Sequence, residues 1–457
     1  MSYVLFLLVT GTLFVRPAEL IPDVYGWPIY EFLVVACLCA SFPQVFAQLS
    51  RNSLRDNPIT ACVLGVLVAV VLSHLSHLYI WGARTWGWQF SKIVLYYLLL
   101  VATVNSAQRL RSFLRWLFLF ILATAVLALL NFYGLVEFSS IGILVERGAA
   151  SATGEVSAIP RLRSTGVFND PNDLAMILAA GAAIGLTAFL SAGSGLPFPG
   201  PYLPTSPLGP TACWSSGSGF LRFFWLPPVG VFLYGIYLTQ SRGGLLSLLA
   251  SLGTVFYFRW GWKRALLFGA LATALLFAVA KGRITSLSQA LEVGTGQSRV
   301  QIWAEGLRLF RQRPVFGIGT GNYAEEVGLV AHNSFLQCFA ELGFFGGAMF
   351  LGAFAAALVM LYRLWRGPLS SVLRPLHLSI SAILVAFIVS MLSLSRPYVV
   401  PGYLVLGLAT ALVAVAVGQE HAPPLRFEAP FVKRLALGGL CFLVATYVFV
   451  RLTIHWT

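Results

Sequence analysis

SFLRWLFLFILATAVLALLNFYGL, residues 112–135, decides the fold class of this chain. Arg115 is its one charged residue, and the apolar side chains follow one another without a polar residue at every second place. About 20 such residues in a helix cross the hydrocarbon of a bilayer. Inside lipid the backbone must satisfy its own hydrogen bonds, which leaves helices or closed barrels, and a barrel strand would alternate. The run therefore reads as a membrane helix. Its basic flank, Arg109, Arg111 and Arg115, marks the end held on the cytoplasmic side.

Outward from this stretch the pattern repeats. Apolar runs fall near 3–15, 29–49, 59–79, 88–105, 172–193, 220–240, 243–258, 264–280, 334–362, 375–395, 402–418 and 435–452. The reading is an all-α, polytopic membrane helix bundle of 12 or 13 crossings, one transmembrane domain over residues 1–457. Composition agrees: of 457 residues 58% are hydrophobic and only 10% charged, against about 25% charged in soluble domains. Mean hydropathy is +0.82. The opening MSYVLFLLVTGTLFV has neither a basic n-region nor a small-residue cleavage site, so it reads as a short first membrane helix. The net charge of +14 does not indicate a nucleic-acid partner, because the cations sit in loops between membrane runs and not on a soluble face. Cys37, Cys39, Cys62, Cys213, Cys338 and Cys441 are scattered without metal or redox spacing, and small apolar packing accounts for them.

Orientation follows from the short basic loops. Arg51 and Arg55, then Arg109, Arg111 and Arg115, then Arg259, Lys263 and Arg264, then Arg363, Arg366 and Arg374, then Arg426, Lys433 and Arg434 recur on one side, the cytoplasm by the positive-inside rule. Segments 137–171, 241–242, 281–333 and 396–401 then face outward, which in a double-membrane bacterium means an inner-membrane protein with these loops in the periplasm. The uncharged Gly/Pro/Ser-rich stretch 194–218 is expected to be a flexible cytoplasmic connection. The 281–333 segment contains an amphipathic helix: Val300, Trp303, Leu307 and Phe310 form its apolar stripe, and Pro314 stops it before GIGTGNY. Such a helix suits either a lid over a lateral opening or packing on top of the bundle.

Cations on the outer side are the anomaly. Arg161 and Arg163 lie near a helix start, and Arg242 stands between two apolar runs joined by almost no loop. An ionisable group at that depth needs a partner, water or an escape to the interface. A guanidinium offers a planar fork that matches phosphate oxygens, so several outer arginines suggest an anionic lipid head group such as a polyprenyl diphosphate. Asp170 and Asp173 in NDPND fit helix capping and dipole complementarity better than metal binding, and the site is expected to hold no metal or cofactor. Histidine is scarce. His74 and His77 fit a packed or interfacial pair, and His377, His421 and His455 have no evident partner. His332, where the 281–333 loop meets the next helix, suits a general base reachable from outside, or a cap.

These residues resemble a known family. His332-Asn333, nine residues, Gly343, two residues and Gly346 match the motif of the O-antigen ligase and polymerase superfamily. Arg299 with Trp303, then PVFGIGTGNY, RSTGVFNDPNDLA at 163–175 and LTQSRGGLL at 238–246 resemble other stretches of that family, in the family's order over roughly 160–350. The resemblance implies a GT-C-like membrane glycosyltransferase. It would move O-antigen glycan from undecaprenyl diphosphate to a sugar hydroxyl of lipid A-core at the periplasmic face, with inversion and without metal. Carried over by position, His332 would activate the acceptor hydroxyl or position it, and Arg161, Arg163 and Arg242 would hold the diphosphate. Arg299, Asn333 and Trp303 would help bind or orient substrate. The family also contains polymerases and protein O-oligosaccharyltransferases. A non-catalytic lipid-glycan transporter is a reading from another class, which would spread polar groups through the membrane depth.

Overall fold

The computed structural model describes residues 1–138, 141–142, 144–150, 156–192, 221–279, 295–420 and 425–454. The expected 194–218 connection, Cys213, His421, His455 and the first part of the 281–333 loop lie outside the described residues.

Each apolar run is a helix. In chain order these are α1 (Ser2–Val15), α2 (Ile29–Gln48), α3 (Pro58–Leu75), α4 (Ile80–Thr103) and α5 (Ala107–Phe132). There follow α6 (Pro171–Ala192), α7 (Leu226–Thr239), α8 (Arg242–Trp260) and α9 (Trp262–Val279). The amphipathic α10 (Thr295–Gln312) precedes α11 (Ser334–Arg366), α12 (Leu373–Met391), α13 (Val400–Glu420) and α14 (Ala429–Thr453). Among the described residues nine helices are both long and apolar enough to cross a membrane. The protein is thus a polytopic all-α membrane protein. α4 begins eight residues before the expected 88 because its first turns, IWGARTWG, are amphipathic and escape a search for apolar runs. Among the described residues the strands form one hairpin in the 137–171 segment, β1 (Leu144–Ala150) antiparallel to β2 (Val156–Arg161).

α6, α12 and α13 form the buried centre, and α2 and α14 lie at the periphery with apolar faces outward. α6 reads AMILAAGAAIGL because small side chains let neighbours approach closely. A Cβ on Gly181 would stand 2.9 Å from both Ile121 and Phe232. Buried hydroxyls bond across helices, as between Tyr97 and Thr60 (2.8 Å) and Tyr97 and Thr410 (2.9 Å). The stripe of α10 is packed on the bundle: Val300, Trp303, Leu307 and Phe310 lie among Leu336, Phe339, Leu443 and Val450 of α11 and α14.

The kink in α11 positions the site. Gly343 has φ 65° and ψ −166°, which interrupts the helix nine residues after its start. The segment after Pro314 runs alongside this break and takes its freed backbone groups. Phe344 N–H donates to the Pro314 carbonyl (2.7 Å), Ile318 N–H to Ala340 (3.1 Å) and Gly319 N–H to Glu341 (3.0 Å). Two chains this close leave no room for side chains. A Cβ on Gly343 would lie 2.3 Å from the Val315 carbonyl carbon, and one on Gly317 would lie 2.3 Å from that of Glu341. The glycines of PVFGIGTGNY and of the motif at 343 therefore serve one contact. His77 Nε2 donates to the Gly317 carbonyl (2.9 Å), so the chain just beyond α3 braces the same turn. The buried Glu341 carboxylate accepts from Gln337 (3.1 Å) and from the Tyr323 N–H (3.3 Å), tying the turn to α11 a second time.

Candidate active site

Three helices begin at one place. The Ser241 hydroxyl, which caps α8, accepts from Gly244 N–H (3.0 Å) and donates to Asn172 Oδ1 (2.7 Å) in the first turn of α6. Arg396, in the turn between α12 and α13, joins the starts of α6 and α11. Its guanidinium donates to Asp173 (2.6 Å) and its backbone N–H donates to the Ser334 hydroxyl (2.9 Å). Helix N-termini carry unsatisfied N–H groups and a partial positive charge, so their convergence makes an anion-attracting corner. The sequence SRGG is what lets α8 arrive there. A Cβ on Gly244 would stand 2.2 Å from that of Ala175 in α6, and one on Gly243 would stand 2.5 Å from the Ser393 hydroxyl.

His332 sits at the head of α11 with a left-handed backbone, φ 50°. That conformation is costly for a residue with a Cβ and persists where neighbours fix it. Here they do: His332 N–H donates to the Ser395 hydroxyl (2.8 Å), and the Ser334 hydroxyl donates to the Leu394 carbonyl (2.6 Å). Asn333 is the helix cap, its side-chain oxygen accepting from Phe335 and Leu336 N–H, both at 3.1 Å. The indole N–H of Trp303 donates to the Ala331 carbonyl (2.9 Å) and pins the residue before the histidine. His332 itself is half-buried. Burial first, then the charge of Arg299, lower its pKa below the ordinary imidazole value, with Asp170 opposing and Arg396 adding to the lowering.

The arginines divide into three kinds. Arg242, at the first position of α8, is exposed, and its charge lies close enough to Arg299 to disfavour the latter's protonation after the effect of burial. Among the described residues neither makes an ion pair with a carboxylate. Arg161 bridges two helices, donating to the Thr239 carbonyl at the end of α7 (2.8 Å) and to Asn172 Oδ1 (3.3 Å). Arg163, two residues on, donates to the Gly142 carbonyl, a bond within the 137–171 segment. Thus His332, Arg242, Arg299 and, through Asn172 and Ser241, Arg161 share one corner. Arg163 is linked to the loop beside it.

Asp170 and Asp173 divide their work. Asp170 Oδ1 accepts the Asn172 N–H (2.7 Å), a local turn before α6, and its other oxygen lies 3.9 Å from Arg396. Asp173 is buried and holds the Arg396 guanidinium. Arg396 is not among the residues singled out from sequence, although the signal that exposes Arg242 is present there too: a cation in a short turn between two apolar helices.

The site is thus a histidine of lowered basicity with cations gathered at converging helix starts in an all-α membrane protein. The family described as O-antigen ligase matches residues 228–351, which span α7 to the upper part of α11 and include Arg242, Arg299, Trp303, His332 and Gly343. This part of the chain, 228–351, is similar to the O-antigen ligase family. No curated protein matches the chain.

Proposed function

We propose that the protein is a membrane glycosyltransferase that moves O-antigen glycan from undecaprenyl diphosphate to a sugar hydroxyl of lipid A-core, on the outer face of the bacterial inner membrane. The observation that carries this reading is the pairing, in one corner, of a half-buried low-pKa histidine with cations that lack carboxylate partners among the described residues. The acceptor oxygen attacks the anomeric carbon from the face opposite the diphosphate, and the carbon–oxygen bond to diphosphate breaks. The hydroxyl proton passes to neutral His332, and polyprenyl diphosphate leaves with the bonding pair. Because that leaving group gains negative charge, Arg242, Arg299 and Arg161 stabilise it without reorganising, helped by three helix N-termini. This charge set does the work a metal ion would otherwise do, so the reaction is expected to proceed in chelator. Asn333 and Trp303 act through His332, one by starting α11 and the other by holding Ala331. α10, packed on α11 and α14, serves as a wall of the site.

The test uses purified protein in liposomes with undecaprenyl-diphosphate-linked glycan and lipid A-core, with EDTA present. Glycan on lipid A-core with wild type and none with His332→Ala supports the reading. Longer chains on the carrier, with lipid A-core untouched, would make the protein a polymerase. Neither product, with carrier lipid moved between leaflets, would replace transfer by transport.

A further inference from the structure

The outer half of α4 carries charge that the corner around His332 does not use. Trp81, Arg84, Trp88 and Lys92 recur at three- and four-residue spacing, which puts them on one helix face. All four are exposed, the two indoles at 65% and 66%. The Arg84 guanidinium lies 5.7 Å from the Trp81 ring centre and the Lys92 ammonium 5.6 Å from that of Trp88. With Val71 of α3, the α4 residues Trp81, Arg84 and Trp88 line an open groove of about 680 Å³, and Lys92 lies beside it, against Trp88. Gly87 lets the two helices close there, since a Cβ would stand 3.0 Å from Val71.

The charges are the unusual part. Tryptophans at a membrane boundary form the ordinary aromatic belt. Lys92, however, lies midway along α4 and faces outward from the bundle, where an ammonium needs an anion or must reach for the interface. No carboxylate lines the groove, and among the described residues neither Arg84 nor Lys92 has an ion pair. Helical side chains lean toward the N-terminus, so both cations point to the end of α4 where Trp86 crowds Gly321 of the glycine turn. This is the end of the bundle at which His77 braces the same turn.

We propose that this groove binds the phosphorylated sugar head group of a glycolipid drawn from the surrounding leaflet. Arg84 and Lys92 pair with phosphate, and the indole faces cover the apolar side of the sugar rings. That this lipid is the acceptor of the transfer rests on the function proposed above; the binding site stands without it.

Native mass spectrometry of the full chain in detergent, titrated with bis-phosphorylated lipid A, tests the assignment. Dioleoylphosphatidylcholine and dioleoylphosphatidylglycerol serve as comparators. Lipid A is expected to bind more tightly than either, and R84Q/K92Q to weaken it about tenfold to thirtyfold. Removing both phosphates from the lipid should weaken binding to wild type by a similar factor, which needs no variant to fold. Equal binding by R84Q/K92Q and wild type would overturn the proposal, as would phosphatidylcholine or phosphatidylglycerol binding as tightly as lipid A. Displacement by excess inorganic phosphate would assign the cations to a free anion and overturn the head-group assignment. His332→Ala should bind lipid A unchanged. Failure of transfer in every preparation would then sink the transferase reading and leave this site in place.

Discussion

The two ends of the helix bundle treat their cations differently. At the basic-loop end, Arg55 meets Glu428 (2.7 Å) and Arg426 meets Asp56 (3.1 Å), while Phe427 N–H donates to the Arg55 carbonyl (2.6 Å). These pairs are solvent-exposed, and such pairs contribute about 0–1 kcal/mol. At the opposite end Asp173 is committed to Arg396, while Arg242 and Arg299 lie close together near His332 without carboxylate partners among the described residues. Like charges held together cost free energy, and that cost is offset only when an anion arrives. Arg55 and Arg426 have carboxylate partners, whereas Arg242 and Arg299 have none among the described residues, and under the proposed function an anionic ligand supplies the missing charge there.

The strongest way to break this contrast is His332→Ala. Transfer should fall by about 10²–10⁴-fold, with the melting temperature and extraction behaviour of wild type at neutral pH, measured on protein in liposomes. Next comes Gly343→Ala. A methyl group at φ 65° against the Val315 carbonyl should cost about 1–3 kcal/mol or more and lower the melting temperature, without any change in charge. Retained stability there would show that the backbone crossing of α11 and the glycine turn is looser than described.

Arg242→Ala and Arg299→Ala should each raise the donor KM by about tenfold to a hundredfold, the loss of a charge-assisted hydrogen bond. Near-normal donor handling in both would dissolve the phosphate clamp. The pH profile sharpens the same point. Under the proposed function the base works as neutral imidazole, and burial with Arg299 places the His332 pKa below the ordinary 6.5. Transfer should therefore hold its plateau through neutral pH and fall only at more acid pH than an ordinary histidine would require. Asp170→Asn removes the charge that opposes this lowering, so the acid limb should move further down; an upward move would contradict the assignment. Stability carries the same sign. Because the folded pKa lies below the unfolded one, the unfolded chain takes up the proton first as pH falls through about 6.5. The contribution of neutral His332 to stability is thus complete above that pH and is lost as pH falls towards the folded value. The smallest effect belongs to the other end: Arg426→Ala should leave transfer unchanged and cost at most about 1 kcal/mol.

The helices are legible in sequence because continuous apolar runs have one solution in lipid, and the hydrogen-bond requirement of the backbone is local. The start of α4 is hidden because Trp81, Arg84 and Trp88 interrupt the apolar signal. The hairpin of β1 and β2 is equally hidden, since the segment GAASATGEVSA carries no alternation strong enough to announce strands. Of the site, the types of residue are readable, but their division of labour is not. Asn333 is the cap of α11, and Arg163 bonds to the loop at Gly142.

By itself the sequence determined a polytopic helix bundle, the expected sidedness of its loops and a family motif around His332 and Gly343, all properties of neighbours along the chain. Tertiary structure alone decided that α6, α8 and α11 begin together, since Asn172, Ser241, Ser334 and Arg396 meet across wide separations in sequence. It alone decided that Gly317 and Gly343 serve one backbone crossing, and which arginines keep a charge without a carboxylate among the described residues. Burial, like-charge proximity and backbone contact depend on distances in space, and no spacing along the chain reports them.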